Sequence, residues 1–92
     1  MIRNIRHKGL EQLHLKGSAK GVNAKYAAKI RRILAAMNAA SRPEHLAAPG
    51  FGLHALKGDL KGFWSITVSA NWRIIFRFDD TDVCDVDLLD YH

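Results

Sequence analysis

Partway along the chain the spacing of apolar residues changes from helical to extended, and few architectures accommodate that change. Within residues 24–39, Tyr26, Ile30, Ile33, Leu34 and Met37 recur at three- and four-residue intervals, while Lys25, Lys29, Arg31 and Arg32 fall mainly off that stripe. This is the period of an amphipathic helix with one face in a core. Asn23 is a suitable N-cap, because its side chain can accept from a free backbone N–H of the first turn. Later in the chain the period is two. Trp64, Ile66 and Val68 form one run, Trp72, Ile74, Phe76 and Phe78 a second, and Cys84, Val86 and Leu88 a third. Such alternation marks half-buried strands, and Asp79-Asp80-Thr81 reads as the turn between the last two. The expected architecture is α+β, with N-terminal helices packed on one face of a curved antiparallel sheet.

The remaining segments fill in around this frame. Residues 2–6 alternate weakly and suit a short strand. Residues 9–15 suit a helix, with Leu10 and Leu13 on one face. Residues 16–21 carry two glycines and two lysines and read as a loop. The segment 41–44 breaks the long helix, and Pro43 can open a short helical turn that ends before Pro49-Gly50. For the last hairpin the expected register pairs Phe78 with Asp82 across a three-residue loop. Phe76 then faces Cys84, Ile74 faces Val86 and Trp72 faces Leu88, all on the apolar face, with Arg73 opposite Asp87 on the other. A two-residue loop would mix the faces, which is costly.

Size and composition limit what such a chain does. Ninety-two residues are read as one domain, 1–92. A chain of this size buries only roughly 60–65% of its unfolded surface. Apolar residues make up 48%, which argues against general disorder. No apolar run approaches the length needed to cross a bilayer, and residues 1–8 lack the apolar stretch of a secretory signal. A cytoplasmic protein without membrane contact is therefore expected. Cys84, the single cysteine, can form no internal disulfide, and its apolar neighbours suggest an inert buried thiol. Charge is uneven. Residues 1–32 hold nine Lys/Arg against Glu11 alone, a net +8, and residues 33–92 hold five against eight acids, a net −3. The basic half suits a polyanion or an acidic partner chain, and equally an ordinary solvated helix face.

Several residues carry candidate chemistry. Asp90-Tyr91-His92 places three proton-holding side chains together, and a nearby carboxylate orients a histidine and favours its charged form. His54 and Lys57 lie on the segment leading into the sheet. Arg73 is a candidate phosphate binder, since a preorganised guanidinium matches phosphate geometry. Alone, each of these is also an ordinary polar tail, loop or cross-strand ion pair. No glycine-rich phosphate loop exists, and Ser65 and Ser69 lack a nucleophile context. The histidines lack metal-ligand spacing and one cysteine cannot build a zinc site, so no cofactor is expected.

Taken together these residues resemble a known family. Leu53-His54-Ala55-Leu56-Lys57-Gly58-Asp59, Gly62-Phe63-Trp64-Ser65-Ile66-Thr67-Val68, Asn71-Trp72-Arg73-Ile74, Phe76 and Asp90-Tyr91-His92 look like the HigB-type toxins of the RelE/ParE superfamily. The small-residue helix end around Ala35, Ala36, Ala39 and Ala40 is similar too. The resemblance implies a RelE-like α+β fold with an active site on the concave face of the sheet. It also implies a metal-independent mRNA endoribonuclease acting in the ribosomal A site. The implied partners are the ribosome with its rRNA and a helix-turn-helix antitoxin, through which the complex binds operator DNA. It carries the catalytic set onto His54, Lys57, Arg73, Asp90, Tyr91 and His92. Lys57, Lys61, Asn71, Trp72 and Arg73 become candidate RNA contacts, and Lys20, Lys25, Lys29, Arg31 and Arg32 candidate contacts to ribosome or antitoxin. Two positions depart from the family pattern, Thr67 where many relatives carry Arg and Ser69 where many carry Asn, which thins the charge facing substrate.

Cleavage by the RNA's own 2′-OH would need a base at the 2′-oxygen, positive charge at the phosphate and an acid at the leaving 5′-oxygen. His54 and His92 are the expected proton-transfer pair, Arg73 and Lys57 the charge, Asp90 the residue that tunes His92, and Tyr91 a positioning group. Two other readings share the fold class: a non-enzymatic gyrase poison of the ParE type, and a plain nucleic-acid-binding module.

Overall fold

The computed structural model describes residues 1–90. Helix α1 (Lys8–Lys16) and helix α2 (Ala27–Ala39) pack on one face of a four-stranded antiparallel sheet of β1 (His54–Ala55), β2 (Phe63–Thr67), β3 (Trp72–Asp79) and β4 (Asp82–Asp90), in the order β1-β2-β3-β4. No helix of the described residues is long and apolar enough to cross a membrane.

The helices form where the sequence places them. The α2 stripe supplies Ile30, Ile33, Leu34 and Met37 to the core, where they meet Leu10 and Leu13 of α1 and Ile66, Ile74 and Phe76 of the sheet. Asn23 caps as expected, its Oδ1 accepting from Lys25 N at 2.9 Å, but the turn it opens (Ala24–Tyr26) is 3-10 and passes into α2 at Ala27. His7 caps α1, its Nδ1 accepting from Leu10 N. Pro43 opens a 3-10 turn, Pro43–Leu46, that buries Leu46.

The last hairpin departs from the expected register. The loop has two residues, not three. Asp79 pairs with Asp82, Phe78 with Val83 and Arg77 with Cys84. Continued unchanged, that register would point Val86 and Leu88 away from the core. A β-bulge restores the pattern. Asp85 takes a left-handed φ of 52°, and beyond it Ile75 pairs with Asp87, Ile74 with Leu88 and Arg73 with Leu89. Phe78, Val83, Phe76, Val86, Ile74 and Leu88 thus all meet the core on one face. The expected pairings are corrected throughout: Leu88 lies opposite Ile74 and not Trp72, and Val86 does not pair with Ile74. Cys84 is buried, but beside Arg77 on the helix-free face, and Arg73 does not oppose Asp87.

The bulge is secured by the N-terminal segment. Residues 2–6 run parallel to β4, touching it through bridges from Ile2 to Val83 and from Ile5 to Val86, not as a continuous strand. Between the bridges, Asn4 Oδ1 accepts from the bulged Asp85 N at 3.0 Å and Asn4 Nδ2 donates to Asp85 Oδ1 at 2.9 Å. Arg77 Nε donates to Asp85 Oδ2 at 2.6 Å, and Arg6 lies 3.4 Å from the same carboxylate. With the bond from Asn4 first and that from Arg77 next, the Asp85 carboxyl is lowered to about 2.

A groove on the helix-free face of the sheet

One face of the sheet is covered by helices; the other is where polar side chains gather. His54 pairs with Ser65, and Thr67 with Arg73. Since directly opposite residues project to the same side, His54, Ser65, Thr67 and Arg73 share the helix-free face. They line one groove of about 320 Å³ with Gly52 and Leu56. The groove depends on strand β1, two residues long, which turns His54 from a loop residue into a sheet-edge residue over the same floor as Arg73. Gly52 closes one end. Its φ is 58°, and a Cβ there would lie 2.8 Å from Thr67 Oγ1, so only glycine lets the chain pass this close to β2.

The β2–β3 turn holds the guanidinium. Arg73 Nη1 donates to the carbonyl oxygens of Ser69 at 2.6 Å, Trp72 at 3.2 Å and Ala70 at 3.3 Å. A guanidinium fixed in this way by carbonyl dipoles is preorganised to meet a phosphate. Asp87, the partner expected from sequence, instead uses its carboxylate to accept from Leu88 N.

The other expected site residues are placed as follows. Lys57 is exposed and precedes the 3-10 turn Gly58–Leu60, one residue past the groove-lining Leu56; Lys61 and Asn71 are also exposed. Trp72 is not brought to the groove. It faces the helices, where it lines a separate cavity of about 140 Å³ with His7, Tyr26 and Leu88. Asp90, exposed at the end of β4 with Trp72 as its Cα partner, is not among the residues that line the groove. Tyr91 and His92 lie outside the described residues. Of the basic helix residues, Lys20, Lys25, Arg31 and Arg32 are exposed, while Lys29 is half-buried and donates to Gly50 O and Arg31 donates to Gly17 O. Sequence reasoning passed over Ser65, dismissed as a nucleophile, although it forms part of the groove.

The fold has relatives among solved structures. The chain is similar to a mutant of YafQ from E. coli (TM-score 0.60, 19% identity, covering 96% of this chain and 92% of that one). It is similar also to a copper-bound mutant toxin from Helicobacter pylori (TM-score 0.56, 20% identity, 98% and 94% covered). The likeness shows that these proteins share one small α+β fold. Residues 3–92 match the family described as the RelE-like toxin of type II toxin–antitoxin system HigB, and the chain is 44% identical to Endoribonuclease HigB of Proteus vulgaris over the full length of both. The chain belongs to the HigB-like toxin family, whose members are paired with an antitoxin.

Proposed function

We propose that this endoribonuclease cuts mRNA in the ribosomal A site, without a metal ion, by attack of the RNA's own 2′-OH on the adjacent phosphate. The observation that carries the reading is the shared groove, in which an exposed imidazole, His54, stands across β2 from the fixed guanidinium of Arg73. An imidazole moves a proton near neutrality; a fixed guanidinium stabilises charge as it develops on a phosphate in flight. Lys57 adds positive charge at the groove's end, and Lys61 and Asn71 are contacts for the RNA strand. His92 is the second proton carrier, tuned by Asp90, and Tyr91 positions base or phosphate. The products are a 2′,3′-cyclic phosphate or 3′-phosphate end and a 5′-hydroxyl. The toxin acts in the cytoplasm. A helix-turn-helix antitoxin neutralises it, and the complex binds operator DNA through that antitoxin.

The test is cleavage of mRNA on programmed ribosomes by wild type, His54→Ala and His92→Gln. Loss of a positioned proton carrier should slow the chemical step by about 10²–10⁴-fold, with an unchanged melting curve because His54 is exposed. Expression without antitoxin should arrest growth with cut mRNAs. Intact mRNAs accompanied by DNA breaks would replace this reading with gyrase poisoning.

A further inference from the structure

Ser65 is the groove residue to which the reaction above gives no task. It is 5% exposed and stands alone as a buried polar side chain among the described residues. Its Oγ makes no hydrogen bond to a described residue, yet no fully buried side-chain oxygen or nitrogen among them lacks a partner. Both hold only if the small remaining exposure of Ser65 falls on Oγ, at the groove floor. Water can meet that hydroxyl in the free protein, and a ligand entering the groove takes the water's place.

Its surroundings indicate which ligand. Ser65 is the Cα partner of His54 on one side and of Ile75 on the other, with Arg73 diagonal to it. Opposite Cβ atoms in such a sheet are about 4.5–5.5 Å apart and diagonal neighbours about 7–8 Å, within reach of a long side chain. The hydroxyl therefore lies between an imidazole and a guanidinium, against the buried, apolar Ile75. Thr67, the other hydroxyl among the described residues that line the groove, has its Oγ1 against Gly52.

We propose that Ser65 is a substrate-contacting residue, whose Oγ–H donates to a non-bridging oxygen of the phosphate that His54 and Arg73 address. The hydrogen bond seats that phosphate on the groove floor; no proton is transferred. The inference rests on the groove being the site of RNA cleavage.

Single-turnover cleavage tests it, with wild type, Ser65→Ala, Ser65→Cys and His54→Ala acting on whichever RNA, free or ribosome-bound, the wild type cuts. The scissile phosphate is either normal or carries sulfur at one or the other non-bridging position. Ser65→Ala should cut about 10- to 100-fold more slowly, the scale of one hydrogen bond to a charged group. Ser65→Cys, similar in size but a weak donor, should be slowed as well. One sulfur diastereomer should slow the wild type but impose little further slowing on Ser65→Ala, because the bond it weakens is already gone. That ratio is taken within one preparation and does not depend on the fraction folded. Wild-type cleavage by Ser65→Ala, or a sulfur effect retained in full by it, overturns the proposal. Undiminished cleavage by His54→Ala would instead overturn the groove as the site.

Discussion

Arg73 shows what a single side chain contributes at the smallest scale. It is held through three carbonyl oxygens of its own turn and not through an ion pair with Asp87. Its proposed role in the reaction and its role in the fold are therefore separable. Arg73→Ala should lower single-turnover cleavage by roughly 10²-fold or more, the scale of removing one preorganised electrostatic interaction. Thermal unfolding should show a loss of only about 1 kcal/mol, the scale of partly exposed hydrogen bonds. A large drop in melting temperature with normal activity in the folded fraction would make the residue structural. His54 and Arg73 stood out in the sequence as candidates through the family resemblance, and the structure brings them to one groove. Ser65 did not, because a serine on a strand looks like any other until pairing with His54 and Ile75 buries it.

Among the elements, the hairpin of β3 and β4 was only half legible. The alternation of Ile74, Phe76 and Phe78 against Val86 and Leu88 marked the strands, and the core they form is the one expected. The register was not readable, because the bulge that reconciles a two-residue turn with that core depends on Asn4, 81 residues away in sequence. Strand β1 escaped notice for another reason: two residues carry no period. The Asp85 network makes the bulge testable. Its carboxyl is lowered from 3.8 to about 2 in the folded protein by Asn4 and then Arg77. A depressed acid stabilises the fold above its unfolded pKa and loses that contribution as pH falls through the folded one. Asp85→Asn, which tolerates the left-handed backbone, should cost about 1–2 kcal/mol near neutrality. In urea unfolding, that gap from wild type should narrow as pH falls from about 4 to about 2. A gap independent of pH would mean the ionised carboxylate does not hold the bulge.

At the scale of the whole molecule, the charge asymmetry of the sequence is partly cancelled in space. Arg3 pairs with Asp79 at 2.6 Å and Asp82 at 3.1 Å, and Arg6 and Arg77 meet Asp85, so the basic N-terminus neutralises the acidic hairpin. Arg3 holds the Asp79 carboxyl below its usual range. Of the basic charge left over, Lys20, Lys25, Arg31 and Arg32 stand exposed on and before α2. These residues are the surface expected to meet rRNA or an acidic antitoxin. Ribosome affinity should weaken as salt rises, since neutralising phosphates releases counterions. Removing the charge of Lys20, Lys25 and Arg32 together should flatten the slope of log affinity against log salt by roughly 0.7–0.9 for each phosphate that is no longer neutralised. An unchanged slope in that triple variant would assign the surface to another partner.

The claim that joins these scales is that the groove cuts RNA by making the RNA attack itself. The direct measurement is cleavage by the wild-type protein of two otherwise identical ribosome-bound mRNAs, one with a single 2′-deoxynucleotide on the 5′ side of the scissile phosphate. The all-ribo message should be cut to a 2′,3′-cyclic phosphate or 3′-phosphate end, and the deoxy message should remain intact at that position while binding the toxin equally well. Cleavage of the deoxy message at the same bond and a comparable rate would show that water or a protein group is the nucleophile, and would contradict the mechanism.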